Sequence, residues 1–262
     1  MKERQIRWRM ELSVFLCLVF GSSAPLWVAA CFLDATRIIP IKLPLSALQF
    51  LCVFAAAILS TRLAGGSVSG LLRRGADLEG IPRLWRPTVF LLMPFTVFLS
   101  YLLTRWSGAL SETRITPLAS LAVFFAVYGV SAYCEEIGWT AVMSDLLLMR
   151  YGVIRSGLVI GFTWAIWHLI PFVQTHNRGS WVFWQCIFSI VFRLILVKTY
   201  VLTGRSAFAP IALHATYNIA FSTLPYYGSS YNPMYMTLAT LLTAALIFSA
   251  KRTAKSAPDG TN

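Results

Sequence analysis

Residues 117–140 read PLASLAVFFAVYGVSAYCEEIGWT. Apart from the adjacent Glu135 and Glu136, the stretch carries no charge, and it is long enough to cross the hydrocarbon core of a bilayer. A carboxylate at membrane depth is costly, so acids that persist there are functional candidates by default. The surrounding composition puts the pair in a membrane. The chain of 262 residues is 57% hydrophobic and only 12% charged, with a mean hydropathy of +0.68. A soluble domain carries about 25% charged residues.

Working outward, seven further apolar stretches run near 12–33, 44–63, 88–104, 156–173, 181–202, 206–224 and 233–250. With 117–140 they predict an all-α membrane protein, a bundle of eight transmembrane helices forming one polytopic domain over 1–262. No internal repeat or second domain is visible. The loop at 65–87, with Gly65, Gly66, Gly70 and Gly75 among its polar residues, reads as a mobile connection carrying a short surface helix. The polar tail 251–262 is expected to be disordered. Val28-Ala29-Ala30-Cys31 has the look of a lipoprotein-type cleavage site, but seven spans follow it, which favours an ordinary first span.

The net charge is +12, yet its distribution argues against a nucleic-acid partner. Sixteen of the 22 Lys and Arg residues fall at one end of the expected bundle: Lys2, Arg4, Arg7, Arg9, Arg62, Arg73, Arg74, Arg83, Arg86, Arg150, Arg155, Lys198, Arg205, Lys251, Arg252 and Lys255. The other end has Arg37, Lys42, Arg105, Arg114 and Arg178. Basic residues accumulate in cytoplasmic loops, so both termini are expected in the cytoplasm. The lipid bilayer is the implied surroundings, and the short loops suggest a prokaryotic plasma membrane.

The candidate chemistry sits in three helices. Glu135 and Glu136 diverge by about 100° around their helix, so one can face a cavity while the other packs sideways. His168 follows Trp164 by four residues, which lets indole and imidazole pack together, and Pro171 should kink or end that helix. His214 and Asn218 share a face. At a rise of 1.5 Å per residue, His168 lies roughly 18 Å and His214 roughly 12 Å from the basic end, so with Glu135 they share a layer. Trp139, Trp164 and Trp167 are expected cavity walls. The cysteines form no paired motif. Cys134 adjoins the acids but has no neighbour that would activate a thiol.

Two chemistries fit these residue types. A carboxylate beside an imidazole can activate water as a general base, while a second imidazole with an amide stabilises an oxyanion. Alternatively, Glu135, His168 and His214 form a ligand set for zinc, which would acidify a bound water. The sequence does not separate them.

Glu135-Glu136-Ile137-Gly138-Trp139, then Trp164-Ala165-Ile166-Trp167-His168, then His214-Ala215-Thr216-Tyr217-Asn218 resemble the three motifs of the CAAX protease and bacteriocin-processing (Abi) family of intramembrane endopeptidases. The resemblance covers about 117–224. It implies a helical bundle with a polar cavity open to the cytoplasmic side. It also implies hydrolysis of a peptide bond in a membrane-associated or C-terminal peptide or protein substrate. By resemblance, Glu135 is the general base, His168 helps hold the water, His214 and Asn218 form the oxyanion site, and Glu136 is the supporting acid. Zinc is the cofactor in one version of that mechanism and absent in another.

One position departs from the pattern. The first motif usually reads EExxxR, and Thr140 stands at the Arg position. A buried carboxylate left unpaired is expensive. Gln185, Ser189 and Arg193 make a polar stripe on the sixth span. Arg193 either replaces the missing charge beside Glu136 or snorkels to the surface near Lys198. The departure leaves open an inactive family member serving as an immunity or scaffold protein; a separate alternative is a proton-coupled transporter in which Glu and His relay protons. The transporter reading expects repeats and broken helices.

Overall fold

The computed structural model describes residues 2–32, 45–110, 112, 114, 116–176 and 178–250, with side chains from Trp8 onward. The tail 251–262 and the segment 33–44 lie outside the described residues. Every regular element among those described is helical. Helix α1 spans Lys2–Ala29, and a 3-10 turn at Leu45–Gln49 leads into α2 (Phe50–Leu63). A short α3 (Val68–Arg74), capped by the Ser67 hydroxyl on the Gly70 amide, sits in the loop where a surface helix is expected. Then come α4 (Trp85–Trp106), α5 (Ala119–Glu136), α6 (Asp145–Leu148), α7 (Val153–Thr175), α8 (Gly179–Leu202), α9 (Phe208–Thr223) and α10 (Pro233–Ser249).

Among the described residues, six helical runs are long and apolar enough to cross a membrane: Trp8–Ala29, Leu45–Leu63, Trp85–Trp106, Ala119–Leu148, Val153–Thr175 and Gly179–Leu202. The chain is an integral membrane protein. The expected count of eight spans is not met in full. A helix lies at each of the eight predicted stretches, but α9 and α10 have 16 and 17 residues, short of the roughly 20 that a span needs. Pro171 does not end its helix; α7 continues through it to Thr175.

Two features set the helices against each other. Gly157 and Gly161 lie one turn apart on α7, where an added Cβ would come within 3.2 Å of the Leu194 Cα and within 2.9 Å of the Ile190 Cα of α8. Small residues of this kind let membrane helices approach closely. The second feature is a π-helical segment, Ile137–Ser144, that joins α5 to α6 directly after the acidic pair. Its wider turns shift the facing of every later side chain, a geometry often found at functional sites. Gly138 within it meets α2: a Cβ there would collide with a Val53 methyl group.

Successive long helices alternate in direction, which gives the bundle two distinct ends. At one end the Trp27 indole donates to Gln49 Oε1 (2.6 Å), Gln174 donates to the Trp27 carbonyl (2.9 Å) and the Tyr226 amide donates to the Arg114 carbonyl (3.1 Å). At the other, Arg150 stacks over Trp8 (5.7 Å), the Ser206 hydroxyl donates to the Asp77 carbonyl (2.7 Å) and Lys198 lies over Phe248 (5.5 Å). This second end carries the arginine-rich loops.

Candidate active site

The acids at the end of α5 divide as their angular separation requires. Glu135 is 7% exposed and lines a cavity; Glu136 is fully buried behind it. One Glu136 oxygen, Oε1, lies 2.8 Å from His214 Nδ1. The other, Oε2, accepts from Arg193 Nη1 at 2.6 Å and from the Thr140 hydroxyl at 2.5 Å. Helices α8 and α9 and the π segment thus converge on one carboxylate. A carboxylate only accepts, so His214 carries a proton on Nδ1 and turns Nε2 away from Glu136.

Glu135 accepts from the Trp164 indole N–H at 2.9 Å, and Arg193 Nη2 stands 3.9 Å from the same oxygen. The Arg193 guanidinium stacks on the Trp164 ring, 4.1 Å from its centroid. Guanidinium suits this place because it is planar, weakly hydrated and able to serve two acids at once. One cation offsets part of the charge of two carboxylates in a nearly dry layer. Arg193 points inward and is fully buried, so it does not snorkel to the surface.

His168 lies on the same cavity. Its Nδ1 is 3.1 Å from the Trp164 carbonyl one turn earlier, and its ring packs 4.5 Å from the Trp164 ring. Trp164 therefore holds two site residues, one with its side chain and one with its backbone. Asn218 lines the cavity one turn beyond His214.

Trp164 is a wall, as expected, but Trp139 and Trp167 are not among the lining residues. Both are fully buried behind the site, their rings 5.5 Å apart, with the Trp167 N–H on Ser23 Oγ at 2.9 Å. The π segment turns Trp139 into the core beside Phe15.

The cavity holds about 740 Å³, within the usual range for a binding site. Its walls carry nine aromatic residues: Tyr128, Trp164, Phe172, Trp181, Phe188, Tyr217, Phe221, Tyr227 and Tyr231. Tyr217 and Tyr231 share a hydrogen bond of 3.0 Å, and Tyr231 donates to Gln185 Oε1 at 2.9 Å. Sequence reading overlooks these tyrosines, although Tyr217 sits inside the HATYN stretch. The cavity opens at the end formed by the α7–α8 junction and the α9–α10 loop. It does not open toward the basic loops, contrary to the expectation of a mouth on their side. Depth along a helix does not determine which way its neighbours leave space.

Residue types alone allow zinc at Glu135, His168 and His214. Their arrangement does not fit it. Among the described residues no three His, Cys, Asp or Glu side chains are grouped to hold a metal ion.

A membrane bundle with a buried acid pair, two histidines on neighbouring helices and an aromatic cavity defines a class of intramembrane site. Residues 117–220 match the family model described as type II CAAX prenyl endopeptidase Rce1-like. Over 96 residues the chain is 31% identical to CAAX prenyl protease 2 of Methanococcus maripaludis, an alignment covering 35% of each protein. Both matches cover less than half of the chain.

Proposed function

We propose that this protein is an intramembrane endopeptidase that hydrolyses a peptide bond in a membrane-associated or C-terminal peptide segment, with Glu135 as general base. The observation that carries the reading is the division of labour between the acids. Glu135 borders the cavity, while Glu136 is committed to His214, Arg193 and Thr140.

In this reading a water held between Glu135 and His168 Nε2 attacks the scissile carbonyl carbon, and its proton passes to Glu135. The carbonyl oxygen becomes an oxyanion that accepts from the Asn218 amide and from His214. Donation from His214 Nε2 requires the ring to carry both protons, a cation paired with the Glu136 carboxylate. As the tetrahedral species collapses, Glu135 returns the proton to the leaving nitrogen, giving one new carboxyl and one new amino terminus. Arg193 and Thr140 are positioning residues: they fix Glu136, which fixes the His214 ring. No step is routed through a metal. The charge distribution supports a plasma-membrane protein with both termini in the cytoplasm.

Comparative peptidomics of cells carrying wild type or Glu135→Gln tests the reading. Peptides that depend on wild type are the expected result. Full retention of the cellular function by the variant would instead support a scaffold role.

A further inference from the structure

The polar stripe on α8 is only partly used by the hydrolytic machinery. Arg193 serves the two acids, and the Ser189 hydroxyl donates to the Gln185 backbone carbonyl one turn earlier at 2.7 Å. The Gln185 side chain takes no part in either contact. It is 8% exposed and borders the cavity, and a buried amide needs partners.

Those partners come from two other elements. Tyr231, in the α9–α10 loop, donates to Gln185 Oε1 at 2.9 Å. That commits the Tyr231 proton, so the Tyr217 hydroxyl of α9, 3.0 Å away, donates to the Tyr231 oxygen. The chain from Tyr217 through Tyr231 runs in one direction and ends on the Gln185 oxygen. The amide nitrogen of Gln185 carries two further donors. At most one of them can meet the Tyr217 oxygen, and at least one is left for a molecule in the cavity.

The helix fixes where that donor stands. Gln185 precedes Arg193 by eight residues, about 12 Å along α8 toward the mouth. Long side chains lean toward the N-terminus of their helix, so Glu135, which Arg193 approaches to 3.9 Å, lies nearer still. An extended peptide advances about 3.3 Å per residue. A chain lying along α8 with its scissile bond at Glu135 therefore brings a backbone carbonyl to Gln185 within about two to four residues of that bond. The side chains bonded to Gln185 are neutral phenols, and the Arg193 guanidinium is committed to the acids. A neutral acceptor suits this place better than a carboxylate, which would be buried without a counter-ion.

We infer that Gln185 is a specificity-determining residue whose amide donates to a backbone carbonyl of the bound peptide, and that Tyr231 and Tyr217 are positioning residues that hold this amide in place. The inference rests on the peptidase reading of the site and adds the way the site grips its substrate. The substrate lies extended along α8 on the mouth side of the scissile bond. The interior of a helix, whose carbonyls are already bonded, would offer Gln185 no acceptor.

The purified full-length protein in detergent and a mixture of short synthetic peptides of diverse sequence test this. The best-hydrolysed peptide is remade with each backbone amide in turn replaced by a trans-alkene, which keeps the shape and removes the carbonyl. With wild type, one replacement about two to four residues from the cleaved bond should raise KM about tenfold, the worth of one hydrogen bond, with kcat little changed. Gln185→Met should raise KM for the parent peptide by a similar factor, and in that variant the same replacement should cost nothing further. A scan with no costly position in that window, or costs that multiply in Gln185→Met, would overturn the inference. The scan on wild type needs no variant and decides the matter if Gln185→Met fails to accumulate. Binding of the same peptides to Glu135→Gln, with and without Gln185→Met and followed by fluorescence anisotropy, separates the two readings. Hydrolysis that does not depend on Gln185 would remove the inference and leave the peptidase reading standing. Gln185-dependent binding of peptides that wild type does not hydrolyse would do the converse, and neither hydrolysis nor binding would overturn both.

Discussion

Arg193 Nη1 lies 2.6 Å from Glu136 Oε2, although the two residues are 57 positions apart in the chain. In the EExxxR pattern that this stretch resembles, an arginine stands four residues after the second acid. Here Thr140 occupies that position and donates a hydrogen bond to the same oxygen. The guanidinium arrives from α8 instead, stacked on Trp164.

Arg193→Ala should therefore destabilise the protein strongly, because it strands Glu136 without its cation in a dry layer. Breaking a buried pair from one side costs about 3–5 kcal/mol. Thermal unfolding in detergent, followed by size-exclusion fluorescence, should show a clear drop. Adding Glu136→Gln removes the stranded charge, so the double variant should recover part of that loss while staying inactive. A double variant no more stable than Arg193→Ala would show that the two residues are not coupled.

Glu135→Gln should behave differently. The amide oxygen of Gln can still accept from the Trp164 indole, so the fold should melt near wild type. Peptide hydrolysis should fall by about 10²–10⁴-fold, the usual contribution of a general base. A large loss of melting temperature would assign Glu135 a structural role.

Asn218→Ala should lower kcat by about 10²–10³-fold with little change in KM, as removal of one oxyanion donor does. The same measurement on Tyr217→Phe, which removes the hydroxyl bonded to Tyr231, should show a much smaller effect on kcat. Equal losses in both would point to cavity shape in place of oxyanion stabilisation.

Exhaustive chelation should leave the hydrolysis rate unchanged, since the donor atoms of Glu135, His168 and His214 are not grouped as a metal site. Elemental analysis of the purified protein runs alongside. Zinc at one equivalent, lost together with activity and restored by zinc alone, would overturn the general-base account.

Gly161→Ala should cost about 1–3 kcal/mol through overpacking against α8. A Cβ there would fall 2.9 Å from the Ile190 Cα and 3.0 Å from its carbonyl oxygen. Gly129, with nothing within 4 Å of a built Cβ, should tolerate alanine, and comparing the two melting temperatures checks the claim.

The apolar stretches and the three motifs were legible in the sequence because membrane insertion and buried charge leave strong local signals. Glu135, His168, His214 and Asn218 all line one cavity. Other features depend on facing, which composition does not encode. The π segment after Glu136 turned Trp139 away from the cavity. The direction of the mouth depended on where aromatic side chains leave room, not on depth along a helix. The polar stripe of Gln185, Ser189 and Arg193 was visible, yet its meeting with Glu136 required the close approach of α7 and α8 at Gly157 and Gly161. Helix α9 starts two residues inside its apolar stretch and stops one residue before its end, and α10 stops one residue early.

The central claim is that Glu135 directs water at a peptide bond. Membranes from cells with wild type or Glu135→Gln, incubated in ¹⁸O-labelled water and analysed by peptide mass spectrometry, test it most directly. The account predicts new peptide C-termini carrying one ¹⁸O in wild-type membranes and absent with Glu135→Gln. Labelled termini of equal abundance in both would contradict it.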